Sequence, residues 1–365
     1  MASLYDPVRL GAVEAPNRVL MSPLTRGRST EAHVPTAIMG DYYAQRAGAG
    51  LIISEATGIS REGLGWAYAP GLWTDEQVEG WKPVLEQVHQ AGGRIFAQLW
   101  HMGRLVHPDF LNGAAPLSSS ATTAPGSVRT YLSNGEKKPY GQARAATLDD
   151  IARVLDDYER ATRNALAAGF DGVQLHAANG YLIDEFLRDN ANFRDDDYGG
   201  SPENRGRLLR EAMERIIAIA GADRSAVRFS PNGDTQGVID SNPEAVFLPI
   251  ADWLETQKIA FVELREPGPD GTFGSTTQPP VSPAFRERFT GPLILNQDYD
   301  RATAEAVVAE GRADGVAFGR KFIANPDLVE RLRTGAPIAQ DDMATWYSRG
   351  SEGYTDYPAL AREAA

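Results

Sequence analysis

Gly172-Val-Gln-Leu-His-Ala-Ala-Asn-Gly-Tyr181 starts as a short apolar run and ends with a His, an Asn and a Tyr within six residues. A strand that stops and at once presents polar, titratable side chains is typical of the sites that α/β enzymes build. His176 and Asn179 could together bind one carbonyl oxygen, and Tyr181 could donate a proton nearby. A single His after a strand is more often structural than catalytic. Whether His176 is catalytic therefore depends on what the rest of the sequence provides around it.

Seven further short apolar runs recur along the chain and predict strands like the one at 172–175. Segments with helical periodicity accompany them, and several begin at a cap such as Thr74 or Thr147. The predicted strands are residues 18–21, 51–54, 95–99, 172–175, 227–230, 261–264, 292–295 and 315–318. The predicted helices are residues 36–47, 75–91, 149–168, 204–220, 243–257, 283–289, 300–310 and 326–334.

The alternation of strands and helices predicts a parallel sheet, and eight alternations predict a closed (β/α)8 TIM barrel. A doubly wound open sheet is the alternative. No linker-like break in composition appears, so we expect a single domain over residues 1–365.

Two segments depart from the even spacing of strands and helices. Residues 102–146, between the third and fourth strands, are rich in Pro, Gly, Ser and Ala, and they predict an excursion that forms a lid over the C-terminal face of the barrel. Residues 346–358 are aromatic and glycine-rich, and we expect this tail to pack against the site.

Composition narrows the possible functions. The chain has a formal net charge of −13, which disfavours binding to nucleic acid. It has no cysteine, which excludes disulfides, thiolate metal sites and a cysteine nucleophile, and its five histidines lack metal-type spacing. No signal peptide and no apolar run long enough for a membrane span are visible, so the sequence predicts a cytoplasmic protein without a metal.

The ends of the predicted strands carry a ring of hydrogen-bonding side chains, which suits a flat aromatic ligand with polar edges. Paired carboxylates for sugar hydrolysis are missing from suitable strand ends. Gly319 and Arg320 after the last strand could bind a phosphate, or they could be a tight turn and a surface arginine. The side chains of the ring include Thr25, Glu55, Gln98, His176, Asn179, Tyr181, Arg228, Glu263, Arg265, Asn296, Gln297 and Arg320.

Five motifs then occur together, nearly from end to end of the chain. They are Pro23-Leu-Thr-Arg26, Gln98-Leu-Trp-His101, His176-Ala-Ala-Asn-Gly-Tyr181, Tyr198-Gly-Gly-Ser-Pro-Glu-Asn-Arg205 and Val316-Ala-Phe-Gly-Arg320. In these motifs the chain resembles the Old Yellow Enzyme family of FMN-dependent ene-reductases. The resemblance is closest to the bacterial 2-cyclohexenone reductase and N-ethylmaleimide reductase branch.

The resemblance implies non-covalent FMN. Thr25 would hydrogen-bond the flavin carbonyl at C4 and tune its potential, Gln98 would pair with the pyrimidine edge, and Arg228 would stabilise negative charge near N1. The other implied FMN contacts are main-chain atoms of Pro23, Leu24 and Ala56 along the ring, and Gly319 and Arg320 with the backbone around Asn296 and Gln297 at the phosphate.

The implied reaction is NADPH- or NADH-dependent reduction of the C=C bond of enones, enals, maleimides or nitroalkenes, by a monomer or homodimer. His176 and Asn179 would bind the substrate carbonyl, hydride would pass from flavin N5 to the β-carbon, and Tyr181 would protonate the α-carbon. The side chains implied to shape the substrate pocket are Trp100, Trp66 and Tyr347. A flavin-free barrel lyase or hydrolase and a non-catalytic binding scaffold are the alternatives.

Overall fold

The computed structural model describes residues 1–132 and 135–360, so residues 133–134 of the excursion and residues 361–365 of the predicted domain lie outside the described residues. Within these ranges eight parallel strands form a barrel. They are β1 (Val19–Met21), β2 (Leu51–Ile53), β3 (Ile95–Trp100), β4 (Gly172–Ala177), β5 (Ser225–Phe229), β6 (Phe261–Arg265), β7 (Leu293–Asn296) and β8 (Gly315–Phe318).

The sheet is closed. β1 pairs with β2 on one side and with β8 on the other, where Val19 lies opposite Val316 and Met21 opposite Phe318. β3 and β4 pair in the middle of the order, with Gln98 opposite Gln174. The predicted (β/α)8 barrel is therefore confirmed, and the open-sheet alternative is wrong because neither β1 nor β8 is an edge strand.

The lower half of the barrel is filled by apolar side chains. Leu20, Phe96 and Phe261 are completely buried there, and the two phenylalanine rings lie 5.6 Å apart between centroids. An antiparallel hairpin, Val8–Leu10 with Val13–Ala15, packs into the same cluster and seals it. This hairpin was not predicted because Arg9 and Glu14 stand at the centre of its two strands, so neither strand forms a continuous apolar run like those of the barrel.

Eight helices alternate with the strands, close to the predicted positions. Thr74 and Thr147 both form capping boxes, as their positions in the sequence indicate. No helix in the described ranges is long and apolar enough to cross a bilayer. The helices are α1 (Ala37–Ala44), α2 (Asp75–Gln90), α3 (Leu148–Ala168), α4 (Arg207–Ala220), α5 (Pro243–Gln257), α6 (Ser282–Arg288), α7 (Arg301–Ala309) and α8 (Leu328–Thr334).

Three short helices differ from the prediction. The predicted helix 204–220 is divided, because Pro202–Arg205 forms a separate turn that ends at Gly206. Leu182–Leu187 and Arg320–Ala324 were not predicted. The first follows the motif His176–Tyr181 and the second begins two residues after the end of β8, so both help to form the C-terminal rim.

The excursion between β3 and β4 lies at the C-terminal end of β3. Its elements are the 3-10 turns Gly103–Leu105 and Pro108–Leu111, the paired strands Leu117–Ser118 and Arg144–Ala145, and the hairpin Arg129–Tyr131 with Lys137–Pro139. Its residues Leu105 and Tyr140 belong to the same buried cluster as Trp100, the last residue of β3. Its action as a lid, and the single domain over 1–365, stay predictions.

The first residue of the stretch 172–181 is expected to tolerate no side chain. A Cβ added at Gly172 would lie 2.3 Å from the Phe96 ring and 2.6 Å from the main-chain oxygen of Arg224. Gly172→Ala is therefore expected to lower the free energy of unfolding by about 2 kcal/mol, as overpacking of a rigid core does. Urea unfolding followed by circular dichroism measures this change.

Gly48→Ala is the matched control, because Gly48 is exposed and an added Cβ there meets no atom within 4 Å. Equal stability of the two variants would contradict the close approach of β4 to Phe96.

Candidate active site

A cavity of about 620 Å³ opens at the C-terminal rim of the barrel, in the size range of ligand pockets. The structure brings every site residue predicted from the sequence to this cavity. The role of each residue stays a prediction. Its lining includes Pro23, Leu24, Thr25, Ala56, Trp66, Gln98, Trp100, His176, Asn179, Tyr181, Arg228, Asn296, Gln297, Gly319, Arg320 and Tyr347.

A chain of buried polar side chains crosses the barrel beneath the cavity. Gln98 Nε2 donates to Gln174 Oε1, and Gln174 Nε2 donates to Glu263 Oε2, both at 2.8 Å. Glu263 Oε1 lies 3.3 Å from Arg228 Nε, and Arg228 Nη2 donates to Asn296 Oδ1 at 2.7 Å. Strand register produces this chain, since Gln98 is opposite Gln174 and Arg228 is opposite Glu263. The chain fixes the orientation of Gln98 and Arg228.

The side chain of Asn296 is used within the barrel. Its Nδ2 donates to Ser22 Oγ at 2.9 Å and to the main-chain oxygen of Ala317 at 2.7 Å, while its Oδ1 accepts from Arg228. The Asn296 side chain is therefore engaged within the barrel, and the backbone contact with the phosphate that the resemblance implies stays a prediction.

His176, at the end of β4, is a neutral hydrogen-bonding group. Burial, reinforced by the cationic Arg228 and Arg265, holds the pKa of His176 well below its usual range. Its Nδ1 is buried and has no hydrogen-bond partner among the described residues. A neutral imidazole carries one N–H, so His176 can donate one hydrogen bond without bringing a charge into the cavity.

Asn179 and Tyr181 reach the cavity through a left-handed turn. The φ angles of Asn179 and Gly180 are 61° and 78°, a conformation that glycine adopts without strain. Asn179 N donates to Ser230 Oγ at 2.8 Å, and Gly180 N donates to Asp184 Oδ2 at 2.9 Å. These bonds hold the turn, so Asn179 and Tyr181 are held beside the end of β4.

Tyr181 lies among aromatic rings. Its ring centroid is 4.9 Å from that of His176 and 4.9 Å from that of Trp100, in edge-on arrangements. This enclosure raises the pKa of the Tyr181 hydroxyl, although a hydrogen bond from Gln236 opposes the shift. The hydroxyl is therefore protonated at neutral pH and can act as an acid.

The C-terminal tail packs against the loop after β1, as its aromatic composition led us to expect. The Arg26 guanidinium donates to the main-chain oxygens of Trp346 at 3.1 Å and Gly353 at 2.7 Å. The ring of Tyr354 stacks on that of Tyr42 at 4.1 Å between centroids. Trp346 and Tyr347 thereby reach the cavity, where the Tyr347 ring lies 5.1 Å from that of Trp66.

Gly319 and Arg320 line the cavity together with Trp346. The Arg320 guanidinium is 4.9 Å from the Trp346 ring centroid, and its Nη2 donates to the main-chain oxygen of Thr272 at 3.2 Å. Among the described residues there is no group of three or more His, Cys, Asp or Glu side chains that could hold a metal ion.

Comparison with known proteins places the chain in a family. The model of the NADH:flavin oxidoreductase / NADH oxidase family matches residues 3–338. The old yellow enzyme homologue from Zymomonas mobilis has the same fold, with a TM-score of 0.96 and 58% sequence identity over 98% of this chain and 100% of that chain. The chain belongs to the Old Yellow Enzyme family.

Two further proteins are similar to this chain over nearly its whole length. Morphinone reductase in complex with tetrahydroNAD has a TM-score of 0.93 and 42% identity, covering 99% of each chain. A probable flavin mononucleotide-dependent alkene reductase from Leishmania infantum is 39% identical over 360 residues, which cover 98% of this chain and 97% of that protein. The chain is accordingly an FMN-dependent oxidoreductase.

The polar atoms of the cavity fit FMN. Gln98 Oε1 is buried and has no partner in the described part of the chain, so it is an acceptor available to the N–H of a flavin pyrimidine ring. Arg228 supplies a cation beside it, held by Glu263 and Asn296. Gln98 and Arg228 would therefore hold the pyrimidine edge, and Gly319 and Arg320 lie where the phosphate is expected.

Arg26 and Arg265 are two further functional residues. In the sequence, Arg26 stood out only as part of a motif and Arg265 only as a strand end, and no role was predicted for either. Arg26 holds the tail, and Arg265 contacts Asn179. Their positions after β1 and at the end of β6 were visible in the sequence. Their partners were not, because each contact joins residues more than eighty positions apart.

Replacing Gln98 is expected to weaken the binding of FMN. Gln98→Leu removes the free acceptor and leaves Gln174 Oε1 without its donor, so we expect the dissociation constant for FMN to rise about tenfold. Fluorescence of the released flavin on dilution measures the change. The exposed Gln142→Leu is the control, and equal retention of FMN by both variants would contradict the assignment.

Proposed function

We propose that this protein reduces the C=C bond of α,β-unsaturated carbonyls and related activated alkenes, namely enones, enals, maleimides and nitroalkenes, as a single FMN-binding domain. The observation that carries the proposal is the convergence of His176, Asn179 and Tyr181 on one cavity above the chain of polar residues that ends at Gln98. Two hydrogen-bond donors and one acid beside a flavin site are what this reaction requires.

His176 and Asn179 act on the carbonyl group. Two donors on one oxygen withdraw electron density from the conjugated double bond and stabilise the enolate that develops when the β-carbon accepts hydride. Bound FMN supplies that hydride. Both donors are fixed before the substrate arrives, since His176 is buried at a strand end and Asn179 is held by its turn.

Tyr181 is the proposed acid for the α-carbon. Its hydroxyl keeps its proton at neutral pH, and its ring is in contact distance of His176. A substrate whose oxygen is bound by His176 therefore has its adjacent carbons close to Tyr181. Holding both reacting groups in one geometry lowers the entropic part of the barrier.

The walls of the cavity favour a small, flat substrate. Trp100 closes one side, and the pair of Trp66 and Tyr347 closes another. Flat aromatic walls suit cyclic enones and maleimides. We therefore propose the 2-cyclohexenone and N-ethylmaleimide reductase type of activity. A flavin-free lyase or hydrolase has no support, because the family uses FMN.

NADPH or NADH is the proposed reductant, and it uses the same cavity as the substrate. The relative morphinone reductase has been solved with tetrahydroNAD bound, which supports a nicotinamide ligand here. The chain carries no dinucleotide-binding glycine motif after a strand, so a shared cavity explains how a nicotinamide could reach the flavin.

The proposal is tested with the purified holoenzyme. Anaerobic NADPH is expected to bleach the flavin absorbance, and 2-cyclohexenone is then expected to restore it. Bleaching without recovery would leave the flavin assignment intact and contradict the enone substrate.

Tyr181→Phe is expected to separate the two half-reactions. Reduction of the flavin by NADPH should keep its rate, while reoxidation by 2-cyclohexenone should slow about a hundredfold, because general acids contribute at least that much. Stopped-flow absorbance follows both steps. Tyr140→Phe is the control, since Tyr140 is a buried tyrosine of the same aromatic cluster that does not line the cavity. Equal slowing of both steps in Tyr181→Phe would exclude the acid role.

Binding of a carbonyl ligand is expected to be independent of pH between about pH 6 and pH 8. The low pKa of His176 means that the imidazole is neutral across this range, and Tyr181 remains protonated throughout it. Titration of the holoenzyme with cyclohexanone, a saturated ketone that cannot be reduced at C=C, measures the dissociation constant. A transition in affinity centred near the ordinary histidine pKa would show that His176 titrates there.

A further inference from the structure

Asn179 can present either edge of its amide to the cavity, and only one edge is useful to a carbonyl. The Nδ2 edge donates hydrogen bonds and the Oδ1 edge accepts them. A carbonyl oxygen accepts only, so it gains a bond from the nitrogen and meets repulsion from the oxygen. Some contact has to select the orientation of this amide.

Arg265 makes that contact. Its Nε donates to Asn179 Oδ1 at 3.0 Å, and both side chains are buried. A guanidinium has only donors, so the amide oxygen must face Arg265 and the Nδ2 edge is left for the cavity. The geometry therefore selects the edge that a carbonyl needs.

Arg265 is itself rigidly held at the end of β6. Its Nη2 donates to Thr235 Oγ1 at 2.9 Å and to the main-chain oxygen of Phe273 at 3.0 Å. Its Nη1 donates to the same Phe273 oxygen at 3.1 Å and to Gln297 Oε1 at 3.3 Å. With each of its nitrogens engaged, Arg265 is suited to hold Asn179 rather than to bind a ligand directly.

The charge of Arg265 adds to this effect. Burial, together with the neighbouring Arg228, lowers the pKa of Arg265 to about 9, so the guanidinium is still cationic at neutral pH. A cationic donor on Oδ1 polarises the amide and strengthens the N–H groups on its other edge. Asn179 is thereby a better donor than an asparagine with a free carbonyl.

We propose that Arg265 is a positioning residue for substrate binding, which fixes the Asn179 amide so that Nδ2–H faces the cavity. The inference rests on the proposed reduction of activated carbonyls. This orientation affects specificity as well as affinity, because a ligand with a hydrogen-bond donor at this place finds no acceptor on Asn179.

A double-mutant cycle tests the proposal in the holoenzyme. The variants are Arg265→Met, Asn179→Ala and their combination, and the probe is cyclohexanone, whose binding is followed by the change in flavin absorbance. Arg265→Met is expected to raise the dissociation constant about tenfold when Asn179 is present and to have no further effect in the Asn179→Ala background. FMN content and urea unfolding of each variant report on folding.

Equal weakening by Arg265→Met in both backgrounds would overturn the proposal, because Arg265 would then support the cavity without acting through Asn179. Parental affinity of Arg265→Met would overturn it as well. If the parent enzyme neither binds cyclohexanone nor reduces 2-cyclohexenone, it is the proposed function that fails.

A variant that leaves Arg265 in place covers the case in which Arg265→Met does not fold. Asn179→Asp keeps an oxygen for the Arg265 pair and removes the Nδ2–H donor. We expect it to bind cyclohexanone at least as weakly as Asn179→Ala, and parental affinity would show that the N–H edge does not face the ligand.

Discussion

Closure of the barrel between β1 and β8 is the constraint on which the rest of the molecule depends. Once Val19–Met21 pairs with Gly315–Phe318, the carboxyl ends of all eight strands meet at one rim. The same closure stacks side chains in layers inside the sheet. The lower layers are apolar and are sealed by the N-terminal hairpin, so the polar layer above them is the floor of the cavity.

That polar layer has to satisfy its own hydrogen bonds, because an unpaired polar group in a closed barrel is costly. Gln98, Gln174, Glu263, Arg228 and Asn296 pair most of their polar atoms in one chain, with one residue from each of five successive strands. A few atoms beside the cavity are left without a protein partner, among them Gln98 Oε1 and His176 Nδ1. These unpaired atoms beside the cavity belong to the surface that a flavin and its substrate are expected to complete.

Buried arginines then connect the loops of the rim. Arg26 holds the C-terminal tail on the loop after β1, and Arg265 joins the end of β6 to Asn179 beyond β4. Arginine is suited to connecting loops, since the several N–H donors of its planar guanidinium can bind more than one main-chain oxygen at once. The loops that carry the proposed chemistry are thus fixed by long-range hydrogen bonds as well as by their own turns.

The sequence by itself determined the barrel and which residues meet at its rim. The apolar runs set the strands, and parallel strands in a closed sheet bring Gln98, His176 and Arg228 to one edge. It did not reveal the hairpin, the two short helices of the rim or the roles of Arg26 and Arg265. Each hairpin strand has a charged residue at its centre and so forms no apolar run, and the short rim helices have too few residues to show a helical period. The contact of Arg265 with Asn179 depends on which atoms meet after folding, so only the tertiary structure decided which edge of that amide faces the cavity.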